Sequence, residues 1–301
     1  MSARAGVRRA VDWGELAPLR LRARQAAEGI YAGMHRSVLR GAGVEFGGYR
    51  EYVAGDDLRW LDRRSLLRHE RLIVRQFETE TDRAVCLLLD ASASMGFRGP
   101  RAPAAKFAFA AVLAAALARV ALANGDPVSL AFLAGKHRVS IGRSSGREQF
   151  ERILEALESM EPSGEIGTEP AMLDHALQSL ARGSRKGAIV VLFSDLLDWP
   201  ARAPDRVAQL ASSGRLLSVV QTLDPAEVDF PFSGTVRLRA LEGNWVVETD
   251  AEATRDQYLE ALAALTGQWR DAVTRRGGRF LTTTTEKAPV AVVRDIVKAI
   301  K

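Results

Sequence analysis

Apolar and polar positions divide this chain into three kinds of stretch. From Gly14 to about Leu39, the residues Leu16, Leu19, Ala23, Ala26, Ile30, Met34 and Val38 recur at three- and four-residue steps. That spacing predicts one helix with a single apolar stripe, leaving Arg20, Arg22, Arg24 and Glu28 off it. Such a stripe most simply packs on its own domain. Residues 40–60 are punctuated by Gly41, Gly43, Gly47 and Gly48 and by the turn signal Ala54-Gly55-Asp56-Asp57, with short strand-like pieces at Tyr49, Tyr52 and Val53. Leu58–Arg68 reads as a short helix or turn, and Arg71–Glu80 alternates well enough to be a strand. From Ala84 onward, strands and helices alternate. Strands are predicted at Ala84–Asp90, Pro127–Ala134, Arg138–Ile141, Ala188–Asp195, Leu216–Leu223 and Arg279–Thr284. Helices are predicted at Ala104–Ala123, Arg147–Met160, Pro170–Ala181, Pro204–Ser213, Ala253–Arg275 and near Val290–Ile300.

Alternation at this spacing predicts an α/β domain built of βαβ units, its mostly parallel sheet covered by helices on both faces. The tight Gly135-Lys136 turn makes the Arg138–Ile141 strand an antiparallel edge. Thr235–Ala240 and Asn244–Asp250 flank Leu241-Glu242-Gly243, a β-hairpin inserted after the fifth core strand. The expected division is an N-terminal extension at 1–82, an α/β domain at about 83–287 with the hairpin at about 235–250, and a C-terminal helix at 288–301.

Composition changes this picture little. The chain has 301 residues, 47% of them hydrophobic and 26% charged, ordinary values for a globular protein. The net charge of +5 is modest and falls mostly in residues 1–83, interleaved with acids, so it does not by itself call for nucleic acid. The single cysteine, Cys86, excludes an internal disulfide and sits in a strand as a small core hydrophobe. Ala104–Ala123 is long and apolar, but it contains Lys106 and Arg119, each costing about 2.5–3.5 kcal/mol at a bilayer centre, so it reads as a buried helix rather than a membrane span. Met1–Arg9 lacks the apolar core of a secretory signal, and the expected location is cytoplasmic.

The chemistry gathers on Val85-Cys86-Leu87-Leu88-Leu89-Asp90-Ala91-Ser92-Ala93-Ser94. Five apolar residues predict a strand buried on both faces, and it ends in an acid followed by two hydroxyls. The carboxyl edge of such a sheet is where ligands bind, and Asp, Ser and Ser offer hard oxygens suited to Mg²⁺ or Mn²⁺. Ile189–Asp195 repeats the pattern, an apolar run ending in Asp195. Two neighbouring carboxylates repel, and a divalent cation relieves that repulsion. Thr168, in the loop Glu165–Pro170, stands just before a helix opening on Pro170, so its oxygen either caps that helix or faces outward. The bland alternative is that Ser92 and Ser94 only cap the following helix.

In these residues the sequence resembles a known family. Asp90-Ala91-Ser92-Ala93-Ser94, then Thr168, then Asp195 are similar to the metal-ion-dependent adhesion site of von Willebrand factor type A domains. Glu45-Phe46, Tyr49-Arg50-Glu51-Tyr52, Gly55-Asp56-Asp57, Leu61-Asp62 and Leu72-Val74-Arg75-Phe77-Glu78 resemble a bacterial group of von Willebrand A-like proteins encoded beside MoxR-type AAA+ ATPases. Two positions depart from that group: Arg63 stands where a tryptophan is usual, and Glu169-Pro170 follows Thr168. The resemblance implies a Rossmann-like domain and a metal site of Asp90, Ser92, Ser94, Thr168 and Asp195 holding Mg²⁺ or Mn²⁺. It implies a protein-binding function rather than catalysis, with no small-molecule substrate. The implied partner is a MoxR-type AAA+ ATPase or a client that supplies a carboxylate to the metal.

Two other function classes have sequence features of their own. Gly142-Arg143-Ser144-Ser145-Gly146 matches the small-residue pattern of a hydrolase nucleophile elbow at Ser144, but His175 is the only later histidine and falls inside a predicted helix. The arginine-rich N-terminal extension is the alternative surface for nucleic acid. No glycine-lysine phosphate loop is present, and the four histidines are scattered.

Overall fold

The computed structural model describes residues 11–33, 45–51, 73–78, 84–135, 140–166, 177, 186–212, 214–239, 241 and 246–300. The chain forms two compact units, Met34–Asp82 and Met1–Gly33 together with Arg83–Lys301. In the smaller unit, β1 (Glu45–Glu51) pairs antiparallel with β2 (Ile73–Glu78), with a bulge between Phe46 and Gly48. The turn at Gly55-Asp56-Asp57 and the Leu58–Arg68 segment lie outside the described residues.

The larger unit carries a six-stranded sheet. Its strands are β3 (Val85–Asp90), β4 (Val128–Leu133), β5 (Ile141–Ser144), β6 (Ile189–Ser194), β7 (Leu216–Leu223) and β10 (Arg279–Thr284). Their order is β10-β7-β6-β3-β4-β5, and all pairs are parallel except β4 with β5. This is the predicted Rossmann-like α/β arrangement with one antiparallel edge. A separate ribbon of β8 (Thr235–Arg239) and β9 (Val246–Asp250) is the predicted hairpin.

Side-chain alternation sorts the sheet into two cores, because successive strand residues face opposite sides. Val85, Leu87 and Leu89 join one buried cluster with Val191 and Phe193, while Cys86, Leu88, Val190 and Leu192 join the other. The first cluster is covered by α1 (Leu19–Gly33), α2 (Lys106–Ala123), α3 (Arg147–Ser159) and α7 (Pro289–Ile300). The second is covered by α4 (Ala203–Ser212) and α6 (Ala251–Arg275). Helices predicted from periodicity therefore cover both faces of the sheet, four on one and two on the other among the described residues.

At the centre is α2, buried from Lys106 through Ala118. A helix apolar on every side needs neighbours on every side, and its alanines let α1 and α7 approach closely. It is the one helix among the described residues long and apolar enough to cross a membrane, and here it is the core helix of the unit.

Three boundaries differ from expectation. The N-terminal stripe is not one helix from Gly14: a 3-10 turn at Gly14–Leu16 is followed by Pro18, and α1 begins at Leu19. Proline has no N–H and a fixed φ, so it stands at a helix start rather than inside one. The stripe does pack on its own domain, with Leu16, Leu19, Ala23, Ala26 and Ile30 buried against α2; Met34 and Val38 lie outside the described residues. Because α1 shares that core, residues 1–33 group with the α/β unit rather than with a 1–82 extension. The edge strand β5 spans Ile141–Ser144, later than the expected Arg138–Ile141. Gln149 pins it there: its Nε2 donates to Val128 O (2.7 Å) and Gly142 O (2.8 Å).

Candidate functional site

The chain leaves β3 toward β4 on one side and later leaves β6 toward β7 on the other. The gap between the carboxyl ends of β3 and β6 is thus the topological switch point, the place where open α/β sheets form a crevice. Asp90 ends β3, Ser194 ends β6, and Asp195 follows it, with Leu89 directly opposite Phe193. Two acids predicted from separate apolar runs therefore meet at one edge.

Both acids are fully buried, as are Ser92 and Ser94 to within a few per cent. Asp90 Oδ1 accepts the Ser92 N–H at 2.8 Å, while Oδ2 accepts Ser194 Oγ–H at 2.5 Å and the Trp199 indole N–H at 3.3 Å. Trp199 is held in turn by an edge-on contact with buried Trp269, ring centres 5.2 Å apart. The Ser92 and Ser94 hydroxyls lie 3.1 Å from each other. The residues Ala93–Gly96 form a single 3-10 turn whose N-cap is Ser92, and the Ser92 side chain makes no capping bond. The capping explanation therefore does not hold for Ser92. Ala105, the N-cap of α2, likewise offers no side-chain cap.

The loop leaving β6 is backbone-strained. Leu196 (φ 64°) and Asp198 (φ 56°) occupy the left-handed region that side chains disfavour, as does Ala134 (φ 60°) after β4. Side chains fix the turn: Leu196 N–H reaches Ser194 Oγ at 2.8 Å, and Leu197 N–H reaches Asp195 Oδ1 at 3.0 Å.

Two charged residues that periodicity did not single out complete the site. Lys106, the first residue of α2, is fully buried; its Nζ donates to Asp195 Oδ2 (2.7 Å) and Glu227 Oε1 (2.5 Å). Glu227 belongs to α5 (Pro225–Asp229), a five-residue helix opened by Asp224 in a capping box: Asp224 accepts the Ala226 N–H, and Glu227 Oε2 accepts the Asp224 N–H at 2.8 Å. The sequence signals were present. Asp224-Pro225-Ala226-Glu227 has the cap, the proline and the acid three residues on, and a lysine at the first position of a helix buried on every side calls for an acid beside it.

Electrostatics follow from burial. Removal from water and the nearby charge of Asp195 push the Asp90 carboxyl up to about 7, against the bonds from Ser194 and Ser92. Burial raises Glu227 as well, with Lys106 opposing. For Lys106, burial works against the ammonium, but Asp195 and Glu227 outweigh it and hold the group above its usual value. Tyr258 is pushed up to about 12 by burial and by Glu227.

The donor set fits a hard cation. Asp90, Ser92, Ser94 and Asp195 present only oxygens, and the two hydroxyls are adjacent. Among the described residues no group of three or more His, Cys, Asp or Glu side chains is placed to hold an ion, so hydroxyls would have to make up the set. Thr168, the fifth predicted member, lies outside the described residues. The chain leading to it is anchored at the site: Ser163 N–H donates to Ala91 O (2.8 Å) and Ala93 N–H to Gly164 O (3.0 Å).

Ser144 is elsewhere. It pairs with Val128 at the start of β4, whereas Asp90 pairs with Leu133 at the end of β4, so the two lie at opposite edges of the sheet. Ser144 does close its own strand, but because β5 runs antiparallel it stands at the edge of the sheet away from Asp90, and His175 lies outside the described residues. The arginines of α1 are engaged within the chain: Arg20 with Glu151, Arg24 with Glu28, and Arg22 with Glu15 O and Gln25.

Comparison with known proteins gives four matches. The family model described as "Protein of unknown function DUF58" matches residues 48–266. An uncharacterised protein of Mycobacterium tuberculosis (strain H37Rv) is 29% identical over 257 residues, which cover 83% of this chain and 77% of that protein. Among solved structures, the conserved hypothetical protein BatB from Bacteroides thetaiotaomicron is similar with a TM-score of 0.48 at 20% identity, over 72% of this chain and 98% of that one. A von Willebrand factor type A protein from Catenulispora acidiphila is similar with a TM-score of 0.41 at 12% identity, over 76% of this chain and 44% of that one.

Proposed function

The chain belongs to the DUF58 family, and on that premise we propose that the Asp90–Asp195 edge is a divalent-cation-dependent site for binding another protein. One observation carries the reading: two buried acids end neighbouring parallel strands at the switch point, with the adjacent Ser92 and Ser94 hydroxyls beside them. Bound there by Ser92 and Ser94, with Asp90, Asp195 and Thr168 directly or through water, Mg²⁺ or Mn²⁺ would supply a coordination position for a partner's carboxylate. The chain's own residues prepare that position. Ser194 and Trp199 orient Asp90, the Asp90–Ser92 turn aims the hydroxyls, and Leu197 N–H holds Asp195.

No step of bond making is assigned to the site; its work is recognition. By the resemblance of its motifs, the partner is a MoxR-type AAA+ ATPase or a client of one, with this chain as adaptor. The test has two parts. Millimolar Mg²⁺ or Mn²⁺ raises the melting temperature of the unmutated protein, chelator reverses the rise, and Asp90→Ala or Ser92→Ala removes it. Capture of the ATPase from native lysate depends on the same cation. An unmutated protein whose melting temperature ignores the cation overturns the reading.

A further inference from the structure

Lys106 has no place in the cation site as the sequence motif describes it, yet it is the group whose burial needs the most explanation. An ammonium withdrawn entirely from water persists only against negative partners. It has two, and every oxygen of both carboxylates accepts a hydrogen bond. Asp195 gives Oδ2 to Lys106 and Oδ1 to Leu197 N–H, while Glu227 gives Oε1 to Lys106 and Oε2 to Asp224 N–H. The ammonium thus bridges the end of β6 to α5, whose own cap, Asp224, accepts Gly99 N–H at 2.7 Å from the loop that follows the Ser92–Ser94 turn.

We propose that Lys106 is the resident counter-ion of the Asp90–Asp195 edge, a positioning residue that fixes Asp195 through Oδ2 and sets how strongly the edge attracts a divalent cation. The inference rests on the cation reading above. Asp195 and Glu227 contact the ammonium and Asp90 interacts with Asp195, so with all three ionised the set keeps two negative charges, which one divalent ion neutralises. The ammonium limits the attraction for that ion and holds the acids together in its absence.

The two roles separate in one variant. Lys106→Met keeps length and apolar stem but removes the charge. Its melting temperature in chelator falls, while its affinity for Mn²⁺, measured by titration calorimetry, rises at least about tenfold because a neighbouring positive charge is gone. A purely structural role predicts the opposite, since a loosened Asp195 would weaken binding; unchanged or weaker affinity overturns the proposal. Should Lys106→Met fail to fold, Glu227→Gln decides. It retains the ammonium and deletes one acid, so Mn²⁺ binding weakens at least about threefold, and unchanged or tighter binding overturns the proposal. An unmutated protein that binds no Mn²⁺ refutes the cation reading itself and this inference with it. Binding by the unmutated protein with no change in the variants refutes this inference alone.

Discussion

Ser194 Oγ donates to Asp90 Oδ2 at 2.5 Å and accepts the Leu196 N–H at 2.8 Å, so one hydroxyl joins the ends of β3 and β6 and holds a residue in a disfavoured backbone conformation. Each group it serves is buried. The acid edge is therefore assembled from within by short polar contacts, before any partner arrives.

Removing that hydroxyl is costly. Ser194→Ala leaves the buried Leu196 N–H without its acceptor and takes from Asp90 Oδ2 its shortest donor, leaving that oxygen only the longer bond from Trp199, each change worth about 1–3 kcal/mol. The expected loss is roughly 2–4 kcal/mol of unfolding free energy, read by urea denaturation. A loss under about 0.5 kcal/mol, the level of an ordinary surface change, contradicts the assignment.

Protonation of Asp90 makes cation-free stability fall with rising pH. Its folded-state value near 7 lies above the ordinary 3.8, so the folded protein binds the proton more tightly than the unfolded chain between those values. In chelator, the unmutated protein should lose stability relative to Asp90→Asn as pH climbs from about 4 to about 7, by on the order of a few kcal/mol, with no further relative change above. Thermal melts of the two proteins across that range check it; a difference that is flat through the window refutes it.

Burial pushes the Cys86 thiol up, so it is poorly ionised as well as inaccessible. In the native protein it should resist a thiol reagent at mildly alkaline pH and react promptly in denaturant. Fast labelling of the folded protein would show that β3 opens without global unfolding.

At the start of α5 two residues depend on each other. Asp224 caps the helix through Ala226 N–H and also takes Gly99 N–H, so Asp224→Ala should cost about 1–3 kcal/mol. Gly99 is required from the other side, because a Cβ there would lie 2.2 Å from Asp224 Oδ1 and 3.1 Å from the Ala226 Cβ. Gly99→Ala should therefore destabilise to a comparable degree, and the double variant should fall well short of additivity. Additive losses in denaturation would separate the two sites.

Much of this was legible in the chain. The runs Val85–Leu89 and Ile189–Phe193 announced two doubly buried strands, and the acids closing them placed Asp90 and Asp195 at one edge. The repeated pattern also led to the expectation that the two carboxylates stand side by side, which the parallel pairing of β3 with β6 meets. Ser92 and Ser94 were found because their spacing matched a motif. Lys106 was passed over because a hydropathy window treats a lysine as a penalty to an apolar helix rather than as a group needing an acid. The α5 helix was missed because five residues show no periodicity, though its cap was spelled out. Pro18 was overlooked inside a convincing stripe, and the edge strand β5 slid because Gln149, five residues beyond it, decides its register.

The grouping of residues 1–33 with 83–301 makes Met34–Asp82 an insertion, a loop of chain that leaves one body and returns to it. Both its ends are tethered to the same core, so the segment is closed like a clasp rather than trailed like a leash, and closure alone removes much of the conformational freedom it would have as a free arm. A cut made at residue 83 to isolate the α/β unit would discard α1 and expose the alanine-rich flank of α2 that α1 covers.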